Sequence, residues 1–147
     1  MADLALVERL AAADRHLAVI TTCRADGSVH ASVVSAGVTR DPVDGSPSVG
    51  LVAHGDSVKL KLLRRTGRAT VVFKDGYQWA AVAGPTRLVG PDDGAELGLD
   101  VPDVIRSVYR AAGGDHEDWD EFDRVMAEDR RCAVFVRAER ISANPTA

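Results

Sequence analysis

The chain has 147 residues, the usual size of one domain, and we expect a single domain over residues 1–147. Hydrophobic residues make up 46% and charged residues 27%, and no apolar run approaches the ~18 residues that a membrane crossing needs. The net charge of -4 argues against a general nucleic-acid surface. The first ten residues show no basic segment before an apolar stretch, so we expect no secretory signal and a cytoplasmic location.

The first half of the chain changes from helical to strand periodicity. Apolar residues at 4, 6, 7 and 10 predict an amphipathic helix over 4–13. β-Branched residues predict strands over 17–23 and 29–38, and the Asp-Gly pair between them predicts a hairpin. A turn-rich segment follows, and the run SVGLVA predicts a third strand over 48–53.

The second half combines both patterns. A short helix is predicted from Val58 to about Arg65, and Pro85 predicts an edge or a bend in the strand that contains it. The remaining predicted elements are strands over 67–74, 77–89 and 131–141, and helices over 102–114 and 118–131.

This order of elements favours a mainly β protein. Six mostly antiparallel strands with short turns and short flanking helices suit a small split or closed β-barrel. No GxGxxG follows a strand, and the chain lacks the GxxxxGKS, HExxH and GxSxG motifs. A Rossmann domain, a P-loop enzyme and a triad hydrolase are therefore excluded.

The cysteines and histidines predict neither a disulfide nor a metal site. Cys23 and Cys132 each lie in an apolar strand-like run and lack CxxC spacing, so we expect two buried free thiols. The four histidines form no HxxxH pair and no cluster with cysteine. We expect no metal ion and no catalytic triad.

One segment, HGDSVKLKLLRRTGRATVVF at 54–73, carries five basic side chains between Lys59 and Arg68. Ser57 or Asp56 can cap the short helix that begins at Val58. The unpaired N–H groups of such a helix start, together with the Ser57 hydroxyl and the Lys59 ammonium, could hold a phosphate. The residues alone leave open a second interpretation, in which the bases form an ordinary solvated helix face.

Four segments in order carry a family resemblance over nearly the whole chain: LAVITTCRADGSVHASVVSAGV, the SxKxxxLRRxxRA run at 57–69, DGYQWAAVAG, and DHEDWDEFDRVMAEDRRCAVFV. Together they resemble the flavin and deazaflavin split-barrel oxidoreductases, the superfamily of pyridoxamine-phosphate oxidase. Within that superfamily the chain is most similar to the actinobacterial enzymes that use coenzyme F420.

The resemblance implies a homodimer with cofactor grooves at the interface between the subunits. The family's phosphate-binding lysine falls on Lys59, supported by Ser57, Val58 and Lys61. The resemblance also implies a ring pocket lined by strand residues, including His30, Ser32 and Val33. A third group would approach the cofactor from the other subunit: Tyr77, Gln78 and Trp79.

Two positions depart from the pattern of the relatives, which often have asparagine at Leu62 and proline at Val29. The resemblance implies an F420H2-dependent reductase that transfers a hydride to a small conjugated or heterocyclic acceptor. An FMN-dependent oxidase or reductase is the alternative, because FMN also ends in a phosphate. A split-barrel protein that binds a flavin, a deazaflavin or haem without turnover is the third interpretation.

Overall fold

The structure is a computed structural model that describes residues 3–145. None of the helices in this range combines the length and the apolar character that spanning a membrane requires. Along the chain the elements are α1 (Leu4–Ala13), β1 (Leu17–Cys23), β2 (Val29–Arg40), β3 (Pro47–Ala53), α2 (Val58–Thr66), β4 (Arg68–Asp75), β5 (Gln78–Val89), α3 (Gly94–Leu97), α4 (Val101–Ala111), α5 (Trp119–Glu128), β6 (Cys132–Arg137) and β7 (Arg140–Ala143).

Six of the strands close into an antiparallel barrel, which confirms the predicted mainly β split-barrel fold. The strands pair in the order β4-β1-β2-β3-β6-β5, and the β4–β5 pairing completes the circle. Alternate side chains of these strands fill the interior, and α1 adds the buried Val7 and Leu10 to the same core. The largest fully buried strand side chains are Phe73, Ile20 and Leu51.

Strand β5 changes partner along its length. Its residues 78–85 pair with β4, and its residues 86–89 pair with β6. A Cβ at Gly84 would overlap the carbonyl oxygen of Arg137, so only glycine allows the close approach at this point. Pro85, which has no N–H to donate, lies at the change of partner.

Two predictions need correction, and one short element was not predicted. The strand predicted over 131–141 is two strands, because Glu139 N–H bonds back to the Arg137 carbonyl in a turn between β6 and β7. The short helix α3 had no sequence prediction. Cys132 is buried as predicted, whereas Cys23 is exposed because it ends β1 on the outward-facing side of that strand.

A second core lies outside the barrel, where α4 and α5 pack on the sheet. Val108 and Phe122 are buried there against Phe135 of β6. The helix α4 approaches closely because β2 and β3 place two glycines opposite each other, Gly37 and Gly50. A Cβ at Gly37 would overlap the backbone carbonyl of Ala111, the last residue of α4.

We therefore predict that Gly37→Ala lowers the free energy of unfolding by about 3 kcal/mol, because a backbone carbonyl cannot move aside as a flexible side chain can. Gly45→Ala is the matched control: its φ is 74°, but open space surrounds its Cβ position. The control should lose only about 1 kcal/mol to left-handed backbone strain. Urea unfolding at matched protein concentration measures the free energy of unfolding of both variants. A smaller decrease for Gly37→Ala than for Gly45→Ala would contradict the packing argument.

Candidate cofactor site

A cavity of about 510 Å³ lies where β2, β3 and α2 meet the α4–α5 layer. This volume falls in the range of about 300–1,000 Å³ that is typical of small-molecule sites. The residues that line it are Arg15, Val33, Val34, Ser35, Val52, Ala53, His54, Lys59, Tyr109, Ala112, Gly113, Gly114, Met126 and Arg131.

The lining combines apolar side chains with cations and contains no carboxylate. Lys59, the second residue of α2, is half-buried. Burial lowers the pKa of Lys59 below its usual range, and the nearby Arg131 guanidinium lowers it further. Lys59 has no acidic partner among residues 3–145, so its charge is available to a ligand.

Arg131 is the second cation at this end of the cavity. Its Nε and Nη2 both lie 3.3 Å from Asp129 Oδ2, and the other oxygen of that carboxylate lies 3.9 Å from His54 Nε2. Asp129, which does not line the cavity, thus offsets part of the Arg131 charge and orients the guanidinium.

The start of α2 brings Lys59 to the cavity, whereas Ser57 and Val58 do not line it, and their contact with a cofactor stays a prediction. Ser57 is the N-cap residue, and its Oγ accepts a hydrogen bond from Leu60 N–H at 3.3 Å. The N–H groups of Val58 and Lys59 precede the first possible intrahelical bond and have no acceptor within the helix. They give the helix start a partial positive charge that favours an anion.

The other four basic side chains of the segment 54–73 do not line the cavity. Arg64 makes two bonds to Asp93, at 2.9 and 3.0 Å, and Arg68 lies 2.7 Å from Glu139. Arg65 donates to the Cys23 carbonyl at 3.1 Å. Lys61 is exposed and does not line the cavity. Of the five basic side chains, Lys59 alone lines it.

The structure separates the predicted ring-pocket residues onto two faces of β2. His30 pairs with Thr22 and Ser32 pairs with Ile20, so both point toward the barrel interior with those buried partners. Val33, which is 67% exposed, points outward into the cavity. A cofactor contact by His30 or Ser32 stays a prediction.

The triplet Tyr77, Gln78 and Trp79 lies at the β4–β5 turn and does not line the cavity of its own chain. Asn144 holds this turn: its Nδ2 donates to the Tyr77 carbonyl, and its Oδ1 accepts from Gln78 Nε2 at 2.9 Å and from Trp79 N–H at 2.8 Å. The Tyr77 side chain is 97% exposed. Its approach to a cofactor across a dimer stays a prediction.

Sequence reasoning missed several lining residues. Arg15 and Arg131 each lie in a connection between a helix and a strand and match no motif, so only the fold brings them to the cavity. Tyr109 belongs to the aromatic cluster of α4 and α5, with its ring centroid 4.8 Å from that of Phe122. Met126 of α5 also forms part of the cavity wall.

The chain was compared with curated proteins, protein-family models and solved structures. A 71-residue segment is 39% identical to the F420H2-dependent biliverdin reductase of Mycobacterium tuberculosis (strain CDC 1551 / Oshkosh). The segment covers 48% of this chain and 49% of that relative, so the match spans about half of each protein. No protein-family model matches the chain.

Two solved structures show the same fold. An FMN-binding protein related to pyridoxamine 5'-phosphate oxidase, from Nostoc punctiforme, has a TM-score of 0.64 at 10% identity and covers 97% of this chain and 84% of its own. An F420 reductase has a TM-score of 0.61 at 15% identity and covers 97% of both chains. The chain therefore has the split-barrel fold of the pyridoxamine-phosphate oxidase-like proteins, which confirms the resemblance seen in the sequence.

The cavity residues fit a flat ring that carries an anionic side arm. Lys59, at the start of α2, and Arg131 supply positive charge at one end, and Val33, Val52 and Met126 supply apolar walls. Burial, and to a smaller extent repulsion from Arg131, lowers the pKa of Lys59, and a bound anion would offset both by stabilising the charged ammonium.

This repulsion leads to a prediction about inorganic phosphate. Phosphate at ten times its dissociation constant should add about 1.4 kcal/mol to the stability of the folded protein. Lys59→Met removes the charge but keeps the length of the side chain, so the variant should fold and lose most of this gain. Thermal unfolding with and without phosphate measures the effect.

Lys61→Met is the matched control, because Lys61 lies two residues further along α2 but is exposed and outside the cavity. That variant should keep the full stabilisation by phosphate. Equal stabilisation of Lys59→Met and the parent protein would show that the anion binds elsewhere.

Proposed function

We propose that this protein is a reductase that uses F420H2 as the hydride donor to a small conjugated or heterocyclic acceptor. The observation that carries the proposal is the carboxylate-free cavity that Lys59, at the start of α2, and Arg131 line together. The 39% identity to an F420H2-dependent reductase over half of the chain supports F420 as the cofactor.

The bound deazaflavin would supply the hydride. The chain would orient the cofactor and the acceptor, exclude water from the ring and supply a proton. Lys59 and Arg131 would hold the anionic side arm by charge-assisted hydrogen bonds. Val33, Val52 and Met126 would exclude water from the ring. Reduction of a double bond by hydride also needs one proton, and Tyr109 and His54 are the lining side chains able to deliver it.

FMN is the second candidate cofactor, because the phosphate at its end could occupy the same Lys59 site. The FMN-binding protein of the same fold supports this alternative. Parallel titration of F420 and FMN, followed by desalting and absorption spectra, distinguishes the two cofactors. A protein that binds one of them but reduces no acceptor would be a binding protein without turnover.

We further propose that the protein works as a homodimer with its cofactor grooves at the interface. The outer face of β1 and β2 is apolar: Val33 pairs with Val19, and Val29 is 58% exposed. Val33 belongs both to this face and to the cavity wall, so a second copy seated on the face would close the open side of the cavity. The Tyr77–Trp79 turn of that copy is the element that we expect to reach the cofactor.

The dimer proposal predicts a solution mass of about twice the 15.6 kDa chain by light scattering. Val29→Lys places a charge in the proposed interface, so it should shift the protein toward the monomer and weaken F420 binding in parallel. Val43→Lys is the matched control, because Val43 is 50% exposed in the loop between β2 and β3. A monomer that binds F420 at full affinity would disprove the shared groove.

The cofactor site predicts that Lys59→Ala raises the dissociation constant of F420 by about 10- to 150-fold, equivalent to roughly 1.5–3 kcal/mol for a hydrogen bond to a charged group. Fluorescence titration measures this change, which should shrink as salt screens the charges. Turnover at saturating F420 should largely recover, since the phosphate contact binds ground and transition states alike.

Lys61→Ala should weaken F420 binding less than Lys59→Ala does, because Lys61 is exposed and lies outside the cavity. If Lys59→Ala binds both F420 and FMN as tightly as the parent protein at low salt, Lys59 holds neither cofactor. The basic segment would then be the solvated helix face that the sequence left open.

A further inference from the structure

The cavity carries a cation at each end. Lys59 lies at the His54 end, since the N-cap Ser57 donates its backbone N–H to the His54 carbonyl at 3.1 Å. Arg15 lies at the Ser35 end, since the second residue after Arg15, Leu17, pairs with Ser35. The floor between these ends includes Val33 to Ser35 of β2, a span of about 7 Å. The two cations can therefore bind two different anionic groups.

Arg15 has no side-chain hydrogen bond or ion pair among residues 3–145, and it is exposed at the cavity wall. Arg131, by contrast, is bonded to Asp129. No carboxylate lines the cavity, so nothing in the wall neutralises Arg15. Its guanidinium is free to form a bidentate pair with a carboxylate that enters from solution.

The backbone holds Arg15 in place by an unusual conformation. Arg15 has φ of 54° and His16 has φ of 63°, two consecutive non-glycine residues in the left-handed region. His16 secures this turn: its N–H donates to Ala11 O at 2.7 Å, and its carbonyl accepts from Ala36 N–H at 2.8 Å. The position of Arg15 is thus set by hydrogen bonds on both sides of the connection.

The wall beside Arg15 includes the Tyr109 ring and the backbone of Gly113 and Gly114. A Cβ at Gly113 would lie 2.5 Å from the His16 ring, and a Cβ at Gly114 would lie 2.5 Å from the Tyr109 ring. Because a side chain at either glycine would collide with a neighbouring ring, this end of the cavity is lined by glycine backbone and by the Tyr109 ring. A conjugated ring that carries a carboxylate would stack against an aromatic side chain and pair with the neighbouring arginine.

We infer that Arg15 determines substrate specificity by binding a carboxylate of the acceptor, so that the acceptors are planar conjugated or aromatic carboxylic acids. The inference rests on the proposed function, which assigns the Lys59 end to the cofactor's phosphate and leaves the Arg15 end to the acceptor. The binding of a carboxylate at Arg15 can nevertheless be measured without turnover.

The test is calorimetric titration of 2-naphthoate, and of its neutral amide 2-naphthamide, into protein saturated with oxidised F420. The parent protein should bind the carboxylate roughly 10-fold more tightly than the amide, as expected for one partly exposed charge-assisted pair. Arg15→Gln should bind both probes equally. Arg9→Gln, which removes an exposed arginine of α1 outside the cavity, should behave like the parent.

Arg15→Asn repeats the test if Arg15→Gln melts early, because asparagine tolerates the left-handed backbone better. Absence of naphthoate binding, or equal binding by the parent and the Arg15 variants, would overturn the inference. If F420 itself fails to bind, the proposed function fails. The same titrations in cofactor-free protein then still decide whether a carboxylate binds at Arg15.

Discussion

The change of partner within β5, from β4 to β6, is the constraint on which the cavity depends. By pairing with both strands, β5 closes the barrel and sets the position of β6. Arg131, a residue of the cavity wall, comes directly before β6 and is placed with it. The crossing requires Gly84, since any side chain there would overlap the Arg137 backbone. The closed barrel in turn holds β2 and β3 side by side as the cavity floor.

Three of the five bases in the segment 54–73 bond to protein groups, whereas Lys59 and Lys61 have no such partner among residues 3–145. Arg64, Arg65 and Arg68 bond to protein groups and tie α2 and β4 to neighbouring segments. Burial, and to a smaller extent the neighbouring Arg131, disfavours the charged ammonium of Lys59 in the folded protein, as its lowered pKa expresses. An anion bound beside Lys59 would offset part of that cost, so the arrangement favours binding of an anion.

Most of the fold could be predicted from the sequence because its signals are local. The α1 helix, the β1–β2 hairpin and the Ser57 cap follow from apolar periodicity, an Asp-Gly turn and capping chemistry. The break between β6 and β7 depends on one turn hydrogen bond and leaves no such signal in an apolar run.

The site could be predicted only in part. Lys59 follows a capping residue, which a sequence reveals. Arg15, Tyr109 and Arg131 are distant in sequence and converge only because the barrel closes, which no local pattern encodes. The separation of Ser32 from Val33 follows from strand alternation, and the choice of which face meets the cavity depends on the packing of α4 against β2.

The helices of this chain differ in the residues that adopt a left-handed backbone after their ends. Helices α2, α3 and α4 are each followed by a glycine in the left-handed region, at Gly67, Gly98 and Gly113, where glycine adopts that conformation without strain. The connections after α1 and α5 use arginine and histidine there instead, at Arg15, His16 and Arg130. An L residue in that region costs about 1–2 kcal/mol, and glycine would avoid the cost. These two connections bring Arg15 and Arg131 to the cavity, so the strained backbone lies where two of its three basic side chains enter the cavity wall.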